Sequence, residues 1–317
     1  MLSMKFKGLK KMAAFSAIAA ACGFAKADTN KGFEDIQALP NGQVLVHNTD
    51  TNGVANIQGI KTPFMFTDAD LNRGFAPAGL ENATSVASDG TNCYANVDGK
   101  VVSFKLSKDG IPSVTDKNEY NMIVRDGTNP QKTVNGRIIR ADEDGFVATH
   151  NDNISKFTKM GDEYVATYQA YIKGMRSTYV DGKDVYALTD SRIFSVDLEN
   201  KGKTSIATGF SGVSSFAVVK NNDGDKVTFL GRANGKVNNR SISSVPVTAI
   251  SISKDRQRVY ATTGANNEYA VFDAQTGDFI STKTVPGVEN VKKVIDNPKD
   301  SAKILYITQQ KMGAYTK

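Results

Sequence analysis

An apolar triplet, usually set just after a D-G or N-G turn, recurs seven times along this 317-residue chain. The copies are Val44-Leu45-Val46, Cys93-Tyr94-Ala95, Phe146-Val147-Ala148, Val185-Tyr186-Ala187, Val227-Thr228-Phe229, Val259-Tyr260-Ala261 and Ile304-Leu305-Tyr306. Their first residues are 49, 53, 39, 42, 32 and 45 positions apart. Each copy follows a short alternating run ("FEDIQAL", "ATSVAS", "GRIIRA", "MRSTYV", "SSFAVV", "VTAISI", "VKKVID"). Each precedes a polar turn and another strand-like run ("GVANIQ", "VVSFKL", "NISKF", "RIFSVDL", "GKVNNRSI", "EYAVFD", "MGAYT"). Glycine-containing turns between β-rich runs are hairpin signals, and no stretch keeps a 3.6-residue apolar period of useful length.

Consecutive apolar residues, rather than alternating ones, require cover on both faces of a strand. One four-stranded sheet cannot supply that alone, whereas sheets pressed face to face around an axis can. A repeat near 40–45 residues is the length of one such blade. The expected fold is therefore all-β, a seven-bladed β-propeller of four-stranded antiparallel blades over residues 28–317. The last copy leaves nothing for a fourth strand, and "DTNKGF" near the other end of the chain is the candidate to complete that blade.

Residues 247–285, "VTAISISKDRQRVYATTGANNEYAVFDAQTGDFISTKTV", resemble a repeat of the YVTN β-propeller family, with Val259, Tyr260 and Thr262 in place and Ala261 in place of a valine. Residues 178–198 fit the same pattern, and the other five copies are eroded. The resemblance implies a seven-bladed ring, often exported, and no transferable catalytic set.

Residues 1–27 read as a secretory signal peptide: Lys5, Lys7, Lys10 and Lys11, an apolar run, then Ala25-Lys26-Ala27. That run is shorter than the roughly 20 residues a bilayer demands, so no transmembrane segment is expected. Cys22 after an alanine run offers a second reading, a lipidated N-terminus. Either way the location is outside the cytoplasm, in the periplasm or extracellular. The leader holds five of the 39 basic residues and no acid, leaving 34 basic against 33 acidic residues. A nearly neutral chain has no long-range field for a polyanion, which argues against nucleic acid. Cys93 is then the only cysteine, so no internal disulfide is available and the core must hold the fold.

In a propeller, the turns between second and third strands gather on one face around the channel mouth. Those turns supply the candidate ligand-binding residues His47, Asp50, Asn96, Asp98, His150, Asp152, Asp190, Arg232, Asn266 and Gln309. His47 and His150, the only histidines, are expected at equivalent positions two blades apart. Imidazole with carboxylates suits Zn, Cu or Fe, but the same residue types are ordinary turn formers, so metal and cofactor stay unassigned. Two long connections, 59–83 and 107–136, carry Phe64, Phe66, Phe75, Tyr120 and Met122, which form a partner-binding lip if exposed and core if not. The chain has no Trp, no G-x-S-x-G elbow, no phosphate loop and no haem-attachment motif. The favoured function is an exported, non-catalytic binding module for a protein, envelope component or small ligand. The alternatives are a lactonase-like hydrolase with a metal in the funnel, and a structural subunit of a surface assembly.

Overall fold

The computed structural model describes residues 32–49, 62–107, 112–113, 119–125 and 132–317. Every regular element among them is a strand. The first sheet runs β1 (Phe33–Ala38), β2 (Val44–Asn48), β3 (Phe64–Thr67), β4 (Gly74–Phe75). Next come β5 (Ala83–Ser88), β6 (Asn92–Val97), β7 (Lys100–Leu106), β8 (Pro112–Ser113), β9 (Glu119–Val124) and β10 (Lys132–Val134). They join β11 (Arg137–Asp142), β12 (Gly145–His150), β13 (Asn153–Met160) and β14 (Glu163–Tyr171) in one ten-stranded sheet. Three separate four-stranded sheets follow. They are β15 (Ser177–Asp181) to β18 (Gly202–Thr208) through β16 (Asp184–Leu188) and β17 (Arg192–Asp197); β19 (Val213–Lys220) to β22 (Arg240–Ser241) through β20 (Lys226–Arg232) and β21 (Lys236–Val237); and β23 (Ala249–Ile252) to β26 (Phe279–Thr284) through β24 (Arg258–Thr262) and β25 (Glu268–Asp273). A sheet of β27 (Lys293–Asp296), β28 (Lys303–Ile307) and β29 (Met312–Thr316) ends the chain. The result is a β-propeller built on four-stranded antiparallel blades.

The triplets fall on β2, β6, β12, β16, β20, β24 and β28, each paired with a strand on either side. Because strand side chains alternate, the middle residue of a triplet faces one neighbouring repeat and its flanking residues the other. Tyr94 packs forward onto Phe146, while Cys93 and Ala95 pack back on Leu45 and Phe66. Tyr186 packs toward Phe216, while Val185 and Ala187 meet Val147. Tyr260 reaches Val294, while Val259 and Ala261 meet Ala217 and Phe229. The described residues contain seven such apolar clusters, each joining successive repeats. In the fifth repeat Val227 and Phe229 both face forward and Leu230 faces back. The true triplet there is Thr228-Phe229-Leu230, one residue later than the sequence pattern suggests.

The last cluster brings the chain's two ends together. Phe33, Ile36, Val44 and Val46 pack with Ile295, Leu305 and Ile307. Lys292 pairs with Glu34 at 3.2 Å and Lys293 with Asp35 at 2.6 Å. The Phe33 N–H donates to the Gln309 carbonyl at 2.9 Å. Residues 28–31, the candidate fourth strand for the last sheet, lie outside the described residues, as do the leader with Cys22 and the run 53–58 read as a third strand. At the opposite end of the ring, Arg256 in the β23–β24 turn forms a bidentate pair with Asp181 in the β15–β16 turn, at 2.7 and 2.6 Å. This clasp ties the third sheet in the chain to the last but one across the intervening β19–β22 unit.

Two long connections depart from the sequence reading. The third strand of the first sheet is Phe64–Thr67, all four residues buried, and Phe66 sits edge-on to Phe104 at 5.8 Å. Strand β9 pairs antiparallel with β7 and parallel with β14, and β10 adds to it. Blades diverge outward from a common axis, so the gap between two of them widens with radius. Here β9 and β10 fill that gap, putting Tyr120 and Met122 inside the cluster with Tyr94, Phe146, Phe157 and Tyr164. Phe64, Phe66, Tyr120 and Met122 are therefore core, not an exposed lip, and Phe75 is half-buried on β4. The run "GKVNNRSI" is a tight hairpin, β21–β22, and not one strand. Asn238 turns it with a left-handed φ of 51°. Its amide replaces ladder pairing, accepting from Leu230 N at 2.9 Å and donating to Thr228 O at 3.3 Å.

Phe146 is fully buried at the β9–β10 wedge. Phe146→Ala should cost about 3–5 kcal/mol in urea unfolding, whereas Tyr171→Ala, at a residue 54% exposed, should cost less than about 0.5 kcal/mol. Equal losses would contradict the wedge as a load-carrying part of the core.

Candidate functional site

Strand polarity sets where chemistry can gather. First strands start, second strands end and third strands start at the same end of the propeller, so the turns between second and third strands and the blade-to-blade connections gather there. Two of these turns are two-residue hairpins: Asp98-Gly99, with φ of 50° and 82°, and Asn151-Asp152, with φ of 44° and 61°. Successive positive φ values match the strand twist, and Asn and Asp tolerate them better than most side chains.

An open cleft of about 450 Å³ lies beside the second of these turns. Its wall takes Thr84 from the start of β5, the stretch Asn135-Gly136-Arg137 leading into β11, the Thr149–Asp152 end of β12, and Met175 from the β14–β15 connection. Three consecutive repeats thus contribute to it.

Buried polar contacts hold these walls. Asn96, fully buried, donates to Asn135 Oδ1 at 2.8 Å and to the Gly136 carbonyl at 2.5 Å, and its own Oδ1 accepts from Gly99 N at 3.0 Å. Ser85 Oγ accepts from Ile138 N at 2.9 Å, linking β5 to β11. Asp152 accepts from Gly174 N at 3.0 Å through its carboxylate, and Ile172 N donates to its carbonyl at 2.7 Å. The β12–β13 turn is thereby locked to the next connection. Gly136 is required by space, since a Cβ there would meet the Thr149 carbonyl at 2.8 Å.

His150 lines the cleft yet is 7% exposed, with Nε2 2.8 Å from the buried Ser155 Oγ. Burial lowers its pKa from 6.5. His47 stacks on Phe64, centroids 4.4 Å apart at 7°. Burial lowers its pKa too, against the opposing pull of Asp35 and Glu34 and with help from Arg137 and Lys292. The two histidines are not equivalent. His47 stands one residue beyond its triplet and His150 two beyond, so they lie on opposite faces of their strands.

Of the other residues expected at the mouth, only Asp152 joins His150 in the cleft. Asn96 is structural. Asp98 accepts from Asn82 Nδ2 at 3.0 Å, and Asp190, well exposed, pairs with Arg176 at 3.1 Å. Arg232 donates to the Ser211 carbonyl at 3.3 Å and keeps a buried Nε without a partner among the described residues. Asn266 bonds Glu268 at 3.0 Å beside a second, far smaller hollow, and Gln309 receives the Phe33 N–H through its carbonyl. Asp50 lies outside the described residues. Among the described residues no three His, Cys, Asp or Glu side chains converge as a metal set, so His47, His150 and Asp98 do not form one. Cys93 is buried against Ser88, and burial pushes its thiol up to about 12, an inert small apolar residue.

Of the other cleft residues, Thr149 and Asn151 flank the two candidates in the β12–β13 turn, and Thr84, Asn135, Gly136, Arg137 and Met175 were not candidates. Thr84 and the Asn135-Gly136-Arg137 stretch stand where a blade-to-blade connection becomes a first strand, next to the "NG" before β11 in the case of Arg137. That class of connection shares the mouth with the turns between second and third strands, and its residues were the available signal.

Both histidine pKa values are depressed, so above 6.5 neither state pays a proton penalty. As pH falls through 6.5 the unfolded chain takes up protons first, and stability drops until the folded values are passed. Urea unfolding across this range should show a loss that His47→Gln and His150→Gln each reduce; identical slopes in wild type and both variants would refute it.

No protein-family model matches the chain, and no curated protein matches it in sequence. Similarity appears among solved structures. The extracellular domain of BT4673 from B. thetaiotaomicron, described in one structure as a one-component system and in another as a hybrid two-component system, matches with a TM-score of 0.58 in both cases. Identity is 11% and 10%, over 90% of this chain and 40% of that one, so the present chain spans well under half of their length. The β-propeller domain of Cps50 (Swd1) from Myceliophteria thermophila matches with a TM-score of 0.54 and 13% identity, over 91% of this chain and 98% of that domain. No helix among the described residues is long and apolar enough to cross a membrane. At these identities the likeness carries the fold alone, and that fold is a β-propeller.

Proposed function

We propose that this protein is an exported binding module, a seven-bladed propeller that holds a small ligand, or a projecting group of a larger envelope component, at its channel mouth. The observation that carries the reading is the cleft of about 450 Å³, within the range of ligand sites, walled by three repeats and fixed by buried amide and hydroxyl contacts. Rigid walls lower the ordering cost of binding. The count of seven treats the ten-stranded sheet as two blades joined by β9. Seven inter-repeat clusters and the contact between first and last sheets support it. The YVTN-like pattern at 247–285 and the extracellular neighbours agree with a ring that works outside the cytoplasm.

Fragment screening by amide NMR tests the site directly. Shifts should concentrate at Thr84, Thr149 and Asn151; a screen whose hits all map to outer strands such as β18 and β26 would overturn the reading. Export is tested by N-terminal sequencing of the protein recovered from its native cells, which should begin at Asp28. Recovery with the leader intact would refute cleavage.

A further inference from the structure

The cleft carries two opposite charges that do not meet each other. The guanidinium of Arg137, an exposed residue, has no hydrogen bond or ion pair among the described residues. The Asp152 carboxylate accepts from Gly174 N through one oxygen and leaves the other without a hydrogen bond there. No other described lining residue is charged at neutral pH, because burial against Ser155 holds the His150 pKa below 6.5. The wall is therefore balanced, one positive group against one negative.

Strand register puts both groups on one side of the sheet. Arg137 stands opposite Thr149 across β11–β12, and Thr149 stands opposite Ile154 across β12–β13. Opposed residues share a face, and Ile154 and Val147 pack forward with Val185 and Ala187 of the next repeat. Arg137 and Thr149 thus belong to the forward face. On that same side the Asp152 carboxylate is bonded to Gly174, and Met175 packs against the forward cluster.

We propose that this cleft takes a small zwitterion, a free amino acid, whose carboxylate pairs with Arg137 and whose ammonium donates to the free oxygen of Asp152. The proposal rests on the channel-mouth reading above and names its ligand class. A carboxylate accepts two parallel bonds from a guanidinium fork, and an ammonium brings three donors. A simple anion or cation would meet one like charge in the same cleft, whereas a zwitterion meets both charges with their complements. A quaternary ammonium fits less well, since aromatic cages recognise it and no Phe, Tyr or Trp is among the described lining residues. The side chain of the amino acid rests on Met175, the apolar residue of the lining.

The test is titration of the folded protein by amide NMR with leucine and alanine, each beside its amide and its N-acetyl form, at neutral pH and fixed ionic strength. The amide keeps only the positive charge and the N-acetyl form only the negative one. At least one free amino acid should shift Thr149 and Asn151 and bind roughly tenfold or more tighter than both of its derivatives, as expected for losing a charged hydrogen bond. Arg137→Gln should bring its affinity down to that of the amide. Asp152→Asn, which keeps an acceptor for Gly174 N, should bring it down to that of the N-acetyl form. Arg192→Gln, at an exposed arginine on another repeat, should leave binding unchanged. Binding of both amino acids no tighter than either derivative, or equal losses in Arg137→Gln and Arg192→Gln, would overturn the zwitterion assignment. If neutral fragments occupy the cleft while neither amino acid does, the assignment fails and the channel-mouth reading stands. If nothing occupies the cleft, both fail.

Discussion

Two-sided burial of the second strands is the constraint on which this structure depends. A strand such as Gly145–His150 carries Phe146 and Ala148 on one face and Val147 on the other, all fully buried. Neither face can be left to water at a cost of about 25 cal/mol per Å² of apolar surface, so each sheet needs a neighbour on either side. Sheets that each need two neighbours have an economical solution, a closed ring. The contact of Phe33 and Ile36 with Ile295 and Leu305 is therefore as necessary as any contact between consecutive repeats.

A ring of diverging sheets creates two secondary problems, one at each radius. Far from the axis the gap between sheets opens, and at one position an inserted pair of strands fills it with Tyr120 and Met122. Near the axis the first strands lack backbone partners on their inner edges. Hydroxyl and amide side chains bridge neighbouring repeats there: Ser85 to Ile138 N, Ser214 to the Val247 carbonyl at 2.8 Å, Thr248 to the Lys292 carbonyl at 3.1 Å. Such bridges give backbone groups between repeats a partner, and at the buried Ser85–Ile138 bond the N–H would otherwise cost about 1–3 kcal/mol. They also make the channel mouth rigid, which is why a cleft can persist among short polar turns.

The same bridges explain the character of that cleft. Amides and carboxylates that hold the walls use acceptors on backbone N–H groups and on Asn96, while the Arg137 guanidinium and one oxygen of the Asp152 carboxylate carry no hydrogen bond among the described residues. Structural contacts and binding chemistry thus share residues, with Asn135 bonded to the scaffold through one atom and open to the cleft through the other. The histidines show how far such sharing is local. His47 is absorbed by stacking on Phe64, while His150 lines the cleft and meets Ser155 through Nε2.

The sequence by itself determined the second strands, the hairpins around them and the ring they imply. Triplet burial and turn chemistry are local properties, legible in a run of about ten residues; even there, the fifth repeat was displaced by one residue because Val227 and Leu230 are both apolar. Tertiary structure alone decided that Phe64–Thr67 is the third strand of the first sheet, that β9 and β10 wedge between two blades, and that Arg137 and His150 line one cleft that His47 does not border. Those outcomes depend on the width of a gap and on which strand ends converge around an axis. Such quantities exist only once residues hundreds of positions apart have closed the circle.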